Sequence, residues 1–121
     1  MTSFTEIDGQ EVKDSFPEFY HEAGRFFEII HKEQPIGFVG VRPLSDKGCE
    51  IEVFIFSHYR NALTKGIVLG TLDFPKSLGF QRCWITTARK TLVKLFNSMK
   101  KYSIIDMGLL NQKHVFMREF K

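Results

Sequence analysis

Apolar residues along this chain switch between the alternation of strands and the wider spacing of helices. Segments rich in aromatic and β-branched residues predict strands, and apolar positions three or four apart predict helices. We expect strands over residues 4–7, 25–32, 36–42, 49–56, 82–87, 104–110 and 113–120. We expect helices over residues 10–22, from Thr64 to near Gly79, and over 91–102. Pro17 interrupts the first of these or instead marks a first turn, and Pro75 should kink the second or end its regular part early. The elements therefore follow the order β, α, β-β-β, α, β, α, β-β.

This order predicts an α+β or mixed sheet arrangement in a single domain spanning residues 1–121. Short connections indicate that the three strands between residues 25 and 56 form an antiparallel meander. The strand at 49–56, the helix after it and the strand at 82–87 form a β-α-β unit. Its two strands should be parallel neighbours with a right-handed crossover.

Composition limits the partners we expect. The net charge of +3 is mild, basic residues gather over 90–101, and no nucleic-acid motif accompanies them, so nucleic acid is not favoured. No apolar run approaches the roughly 18 residues that cross a bilayer. The opening residues M-T-S-F-T-E-I-D do not resemble a signal peptide. We therefore expect a cytoplasmic protein that makes no membrane contact.

Two residue types have a structural interpretation. Cys49 and Cys83 lie in strand-like segments without C-x-x-C spacing or a nearby histidine, so we expect buried free thiols and no metal site. Thirteen Phe residues in a chain of 121 indicate either an aromatic core or an apolar surface for a partner. The sequence does not separate these two alternatives.

The strand at 49–56 runs directly into a basic helix start. Arg60 and Lys65 supply charge there, and Thr64 is a suitable N-cap. The first N–H groups of a helix have no partner within the helix and lie at the positive end of its dipole, so this junction can hold a phosphate-bearing cofactor. A basic turn before a helix is also common where it serves structure alone.

Three segments resemble the GNAT superfamily of N-acyltransferases, which transfer acetyl groups from acetyl-CoA to amines. I-F-S-H-Y-R-N-A-L-T-K-G at 55–66 is similar to the family's V-x-P-E-x-R-G-x-G-x-G-K segment. The run at 73–87 resembles the family's long helix, L-G-F turn and next strand, and L-F-N-S-M-K-K-Y at 95–102 resembles the close of its last helix. The resemblance covers about residues 25–120 and implies a mixed, mostly antiparallel sheet with helices on both faces.

The resemblance implies two alternative functions. In the first, the chain binds acetyl-CoA and acetylates a primary amine on a small molecule or a protein. In the second, the chain is a GNAT-fold interaction or structural protein without catalysis, similar to compact ones encoded by bacteriophages. The shortened N-terminal region implies a more open acceptor site or one completed by another subunit, so a homodimer or another protein partner is a further expectation.

The resemblance assigns acetyl-CoA to one stretch of the chain. The cofactor-binding residues that it implies are Phe54, Ile55, Phe56, Arg60, Asn61, Leu63, Thr64, Lys65 and Gly66. Glycines that bring the family's loop close to the pyrophosphate fall here on Leu63 and Lys65, and Asn61 replaces another. A side chain at such a position requires a negative φ and must point away from the ligand. These departures favour the non-catalytic alternative.

The resemblance also implies a general base and an oxyanion donor. Glu50 and Glu52 alternate along their strand and share a face with Phe54 and Phe56, so either carboxylate is a candidate to take the proton of the amine. The alternative for each is an exposed carboxylate on a two-sided strand. A backbone N–H near residues 54–56 would donate to the oxyanion where the central strands separate.

The position of the general acid differs from the family pattern. Phe96 stands where the family often has a tyrosine that protonates the departing thiolate, and a phenyl ring cannot donate a proton. We expect Tyr102 to be a packing residue rather than a substitute for it. Because a thiol is already a reasonable leaving group near its own pKa, this change weakens the case for catalysis without ending it.

Overall fold

Seven strands form one mixed sheet in the computed structural model, which describes residues 2–44, 47–62 and 64–120. The strands are β1 (Thr2–Ile7), β2 (Arg25–His31), β3 (Gln34–Pro43), β4 (Gly48–Ile55), β5 (Arg82–Thr87), β6 (Ile104–Leu110) and β7 (Lys113–Glu119). Their spatial order is β1-β2-β3-β4-β5-β7-β6. Only β4 and β5 are parallel among these neighbours, so the sheet is mixed and mostly antiparallel, as predicted.

Three α-helices connect these strands. They are α1 (Gly9–Ser15), α2 (Lys65–Ser77) and α3 (Lys90–Asn97), with short 3-10 helices at Ser57–Ala62 and Lys100–Tyr102. The order of elements is the one predicted, and α2 makes the crossover between the parallel strands β4 and β5. Within the described ranges, no helix has the length and apolar character needed to cross a membrane.

The two faces of the sheet are covered differently. One face carries the odd-numbered residues of β4, and a cluster including Cys49, Ile51 and Phe116 packs there against α2 and α3. On the opposite face, the ring of Phe26 lies against Gly9 at the start of α1. Helices therefore lie on both faces, as predicted, because strand neighbours alternate between the faces.

Two helix predictions were wrong at their ends. The predicted helix over residues 10–22 stops at Ser15, and Phe16 adopts φ −137° and ψ 64°. Pro17 explains this end, because a proline ring disfavours the helical conformation in the residue before it. The predicted helix over 91–102 stops as an α-helix at Asn97, and a separate 3-10 turn follows at Lys100–Tyr102.

The parallel strands β4 and β5 pair only over their first half. Their register runs from Gly48 opposite Arg82 to Ile51 opposite Ile85, although both strands continue beyond these pairs. A Cβ at Gly37 of β3 would collide with the carbonyl oxygen of Phe54. Glycine at this position therefore lets the end of β4 lie close to β3, on the side away from β5. The separation of β4 and β5 creates the cleft described next.

Candidate active site

A cleft opens where β4 and β5 separate, on the face covered by α2 and α3. Its volume is about 210 Å³. Its walls are the end of β4, one side of α2, the end of β5 and the first turns of α3, contributed by Val53, Phe54, Ile55, Ile67, Val68, Thr71, Leu72, Ile85, Thr86, Thr87, Arg89, Leu92 and Phe96. Most of these side chains are apolar, which suits a slender, largely uncharged ligand chain.

The start of α2 has the geometry of a capped helix. Thr64 has an extended backbone, and its Oγ1 accepts a hydrogen bond from the Ile67 N–H at 3.2 Å. Gly66 is exposed in the first turn, and a Cβ built there approaches only the Thr64 Oγ1, at 3.7 Å. The unpaired N–H groups at such a start favour an anion.

Lys65 has the backbone conformation that a non-glycine residue requires at this position. Its φ is not positive, since it is absent from the left-handed residues of the chain and begins a regular helix. Its Nζ lies 5.6 Å from the centroid of the Tyr102 ring, a cation–π arrangement. The lysine side chain thus contacts Tyr102 in the 3-10 turn that follows α3.

The structure describes only some of the other residues predicted to bind the cofactor. Phe54 and Ile55 border the cleft, although the Phe54 ring packs against Phe16 and Phe19 on the opposite face. Arg60 and Asn61 belong to the 3-10 helix between β4 and α2, and their side chains lie outside the described atoms. Leu63 lies outside the described residues. Their roles therefore remain predictions.

Phe56 has a different place from the one predicted. Its N–H donates to the Ile36 carbonyl at 3.0 Å, so this amide is already paired toward β3. Its ring lies 5.9 Å from that of Phe54 and 5.2 Å from that of Phe38, on the face opposite the cleft. Of the predicted oxyanion segment 54–56, the Phe56 N–H is therefore not a free donor.

The two candidate carboxylates have different surroundings. Glu50 lies opposite Arg42 in the β3–β4 register and forms a salt bridge with it. Arg42 also donates toward Nε2 of His21, at 3.3 Å. Glu52 lies opposite Gly40, which offers no side chain to pair with. Glu50 is therefore ion-paired with Arg42, whereas Glu52 forms no ion pair among the described residues.

Glu52 is exposed at the surface, yet partial desolvation raises its pKa above the usual value for a glutamate, and the nearby charge of Glu50 adds to the rise. Lys113 and Arg42 oppose this shift. A carboxylate with a raised pKa is a stronger base, which is the property that a proton acceptor needs. Glu52 follows Ile51, the last residue of β4 that pairs with β5, and so lies at the point where these two strands separate.

A second cavity lies beside Glu52 on the face opposite the cleft. Its volume is about 150 Å³. Glu50, Glu52 and Arg42 line it together with Phe19, Phe26, His21, Gly24, Gly40 and Val41. A Cβ at Gly40 would lie 3.1 Å from Phe26 and 3.6 Å from Phe19, so the rings fill the space that a side chain would occupy. The cavity combines a free carboxylate with aromatic rings.

Aromatic rings form a continuous cluster on this face. Phe16 contacts Phe38 and Phe54, with centroids 5.2 and 5.3 Å apart, and Phe19 contacts Phe26 and Phe54 at 6.1 and 6.2 Å. No Phe is among the exposed large hydrophobic residues of the described chain. The Phe content therefore reflects internal packing rather than an apolar surface.

Phe96 occupies the position where the resemblance places the general acid. Phe96 is buried, lines the cleft and contacts Phe116 with ring centroids 5.0 Å apart. Tyr102 lies under the ammonium of Lys65 and is not among the residues that line the cleft. Its carbonyl accepts a hydrogen bond from Arg118, so Tyr102 is a packing residue.

Sequence reasoning missed the contribution of α3 and the end of β5. Arg89 lines the cleft, and its N–H donates to Oγ1 of Thr87 at 3.0 Å, which fixes the backbone at the start of α3. Thr71 on α2 also lines the cleft, with its hydroxyl donating to the Ile67 carbonyl at 2.9 Å. The available signal was that Arg89 lies two residues after the end of the second parallel strand.

Both cysteines are buried free thiols, as predicted. Burial raises the pKa of each thiol to about 12.

Because only a thiolate is an effective nucleophile, we expect neither cysteine to react with a thiol reagent at pH 8 while the chain is folded. Both should react fully in denaturant. Rapid labelling of either one in the native protein would contradict the burial described here.

Comparisons with known proteins identify the fold. No protein-family model matches the sequence, and no curated protein matches it either. Solved structures do match. An IAA acetyltransferase from Bacillus cereus has a TM-score of 0.68 at 11% identity, covering 99% of this chain and 100% of that one. A PaiA N-acetyltransferase from Thermoplasma acidophilum, in complex with coenzyme A, has a TM-score of 0.62 at 11% identity, with 99% of each chain covered.

A third match names the family. An acetyltransferase of the GNAT family from Staphylococcus aureus has a TM-score of 0.60 at 14% identity, with 100% of each chain covered. The chain therefore has the fold of GNAT acetyltransferases, as the sequence resemblance implied. At these identities the likeness concerns the fold, so the activity is argued from this chain's own residues.

Proposed function

We propose that this chain is an N-acetyltransferase that binds acetyl-CoA in the cleft between α2 and α3 and acetylates a primary amine. The observation that carries the proposal is the separation of β4 and β5 after the Ile51–Ile85 pair, with a cleft on one side and Glu52 on the other. This arrangement lets two substrates approach one point from opposite faces of the sheet.

The cleft suits the chain-like arm of acetyl-CoA. Its volume of about 210 Å³ is roughly that of seven water molecules in the liquid, enough for part of a slender arm while the rest extends through the open mouth. Val68 and Leu92 provide apolar walls, and Thr86 and Arg89 provide polar atoms. The first turn of α2, at Lys65 and Gly66, would face the phosphates.

Glu52 would take the proton from the acceptor amine. The bound acetyl thioester supplies the electrophilic carbonyl carbon: a C–N bond forms to the amine, the C–S bond breaks, and CoA leaves as a thiolate that takes a proton from water. Glu52 accepts the proton that the nitrogen loses, directly or through water. Glu50 stays paired with Arg42 and raises the basicity of Glu52 by its charge.

The cavity beside Glu52 would receive the amine end of the acceptor. Its volume of about 150 Å³ fits only the group next to the reacting nitrogen, so the remainder of the acceptor would lie outside. Phe19 and Phe26 present ring surfaces that favour a cationic group near Glu52. We further propose that the chain is cytoplasmic, forms a single domain over residues 1–121 and associates with itself.

A GNAT-fold protein without catalysis is the second candidate. Phe96 at the acid position and Lys65 held against Tyr102 favour it, because neither residue serves the transfer directly. Under this alternative the fold is kept for packing and interaction. Binding of acetyl-CoA separates the two candidates, since only the enzyme requires it.

Calorimetric titration with acetyl-CoA tests the proposal by comparing the wild-type chain with a variant that should still fold. Gly66 is exposed and open on its Cβ side, so Gly66→Trp should leave the helix intact while its ring covers the first N–H groups of α2. We expect micromolar binding by the wild-type chain and at least a tenfold loss in Gly66→Trp.

Gly66→Ala is the matched control. It should stabilise α2 by about 0.5–1 kcal/mol, because alanine is a better helix former than glycine, and it should weaken binding less than the tryptophan does. If wild-type protein fails to bind acetyl-CoA at ~1 mM, or if Gly66→Trp binds as well as wild type, the cleft does not hold the cofactor as proposed.

A further inference from the structure

β6 carries an unusual share of the exposed apolar surface. Six large hydrophobic residues of the described chain are exposed, and four of them lie on this strand of seven residues. They are Ile105 (47% exposed), Met107 (54%), Leu109 (72%) and Leu110 (64%). Single exposed apolar residues need no explanation, but a contiguous group on one element marks an interaction surface.

β6 is also the last strand of the sheet. It pairs with β7 on one side, and the strand order leaves no further strand on the other. An edge strand presents backbone N–H and C=O groups that another chain can pair with. Natural proteins often protect such an edge with lysine, proline or a bulge, and β6 has only the bulge between Asp106 and Gly108.

The exposed side chains lie on both faces of β6. Leu109 is opposite His114 and Leu110 is opposite Lys113, and consecutive strand residues point to opposite faces. A partner lying flat on one face would cover only one of these two leucines. A strand that approaches the edge in the plane of the sheet would cover both.

The one carboxylate on β6 is already hydrogen-bonded within the chain. Asp106 is its single charged residue, and the carboxylate accepts from Nε2 of His114 at 2.8 Å and from the N–H of Gly108 at 2.8 Å. The register shifts between Asp106 and Gly108, and the residue in this bulge is the apolar Met107. A second β6 placed alongside would therefore meet apolar side chains rather than an unpaired like charge.

We propose that β6 is the interface with a second copy of this chain, through antiparallel pairing of the two β6 edges. The strand sequence I-I-D-M-G-L-L is apolar on both sides of Met107, so a two-fold axis there places Ile105 opposite Leu109 and Ile104 opposite Leu110. The same surface thus serves both copies, which is what a closed dimer requires.

The area indicates how strong this contact is. The exposed parts of the four residues amount to roughly 80–130 Å² each, or on the order of 430 Å² per copy. This is about half of the ~800 Å² per partner of a standard interface, and backbone hydrogen bonds between the edges add to it. The dimer should therefore be reversible and depend on protein concentration.

Sedimentation velocity over a concentration series tests this interface without reference to activity or to acetyl-CoA. We expect the wild-type chain to shift from monomer to dimer with rising concentration, and Leu109→Lys to raise the dissociation constant at least tenfold. Leu44→Lys is the matched control, because Leu44 is also exposed (47%) but lies after β3, away from β6. It should leave the constant unchanged.

Each other result overturns the proposal. A wild-type chain that stays monomeric up to ~1 mM has no such interface. A dimer that Leu109→Lys leaves intact, or that Leu44→Lys weakens equally, uses another surface. Hydrogen exchange on the wild-type chain gives an independent readout: amides of β6 should become more protected as concentration rises, and protection confined to other strands would place the contact elsewhere.

Discussion

Glu52→Gln is expected to lower the rate of acetyl transfer about 100-fold or more while leaving acetyl-CoA affinity unchanged. Removing a general base typically costs 10²–10⁴-fold in rate, and Gln keeps the shape of the side chain but cannot accept the proton. Acetyl-CoA affinity should be unaffected because the cleft lies on the other face of β4. Steady-state kinetics with a primary amine acceptor, together with calorimetric titration, measures both quantities.

The pH profile identifies the same residue. Partial desolvation and the charge of Glu50 raise the pKa of Glu52, and the free base is the active form, so activity should rise with pH through an inflection above the usual range of a glutamate. This inflection should be absent in Glu52→Gln. An unchanged profile and rate in the variant would remove Glu52 from the mechanism.

Glu50→Gln is the matched control because Glu50 lies two residues away on the same face. It removes the charge that raises the pKa of Glu52 and releases Arg42, whose charge lowers it. We therefore expect Glu50→Gln to retain activity, with the inflection moved to lower pH. Loss of activity in Glu50→Gln but not in Glu52→Gln would reverse the assignment.

Stability separates a catalytic Glu52 from a structural one. A carboxyl group whose pKa is raised by folding binds protons more tightly in the folded state, so its contribution is most favourable at low pH and is lost as pH rises through the raised pKa. At neutral pH the Glu52 carboxylate therefore opposes folding slightly, and Glu52→Gln should melt at the same temperature or a little higher. A large loss of stability would indicate a structural role.

The sequence could predict the order of elements because local patterns determine them. Apolar spacing and Thr64 as a cap define α2, whose N-cap and first residues appear as expected. The end of α1 depends on one local rule, the effect of Pro17 on Phe16. Apolar residues continue at helical spacing past Pro17, so spacing alone predicts a longer helix than the chain forms.

The site could be predicted less completely, since it depends on which strands become neighbours. Glu50 and Glu52 have the same pattern along β4, and only the β3 register distinguishes them by placing Arg42 beside one and Gly40 beside the other. Likewise, Arg89 joins the cleft because β5 lies parallel to β4. No spacing within one segment contains this information.

The family resemblance implied that the β4–α2 junction binds acetyl-CoA, but it did not predict the contacts of the residues there. It implied a backbone donor near residues 54–56, and within that segment the structure pairs the Phe56 N–H with the Ile36 carbonyl. This pairing is a contact between β4 and β3, which spacing within one segment does not reveal.

Phe116→Ala is expected to cost about 3–5 kcal/mol of folding free energy, the largest effect on stability among these predictions. Phe116 is fully buried, and its ring contacts those of Phe96 and His114, with centroids 5.0 and 5.1 Å apart. Domains of this kind are stable by roughly 5–15 kcal/mol, so the variant should unfold at a much lower urea concentration. Ile105→Ala, at an exposed position on the neighbouring strand, should change stability far less.

The same substitution links the core to the cleft. Phe96 packs on Phe116 with one part of its ring and lines the cleft with another, so the cavity left by Phe116→Ala removes the support beneath this wall. We expect acetyl-CoA to bind more weakly to folded Phe116→Ala, with Ile105→Ala binding as wild type does. A variant that lost less than ~1 kcal/mol of stability would show that Phe116 does not anchor α3, and the position of the cleft wall would then have to depend on other contacts of α3 with the sheet.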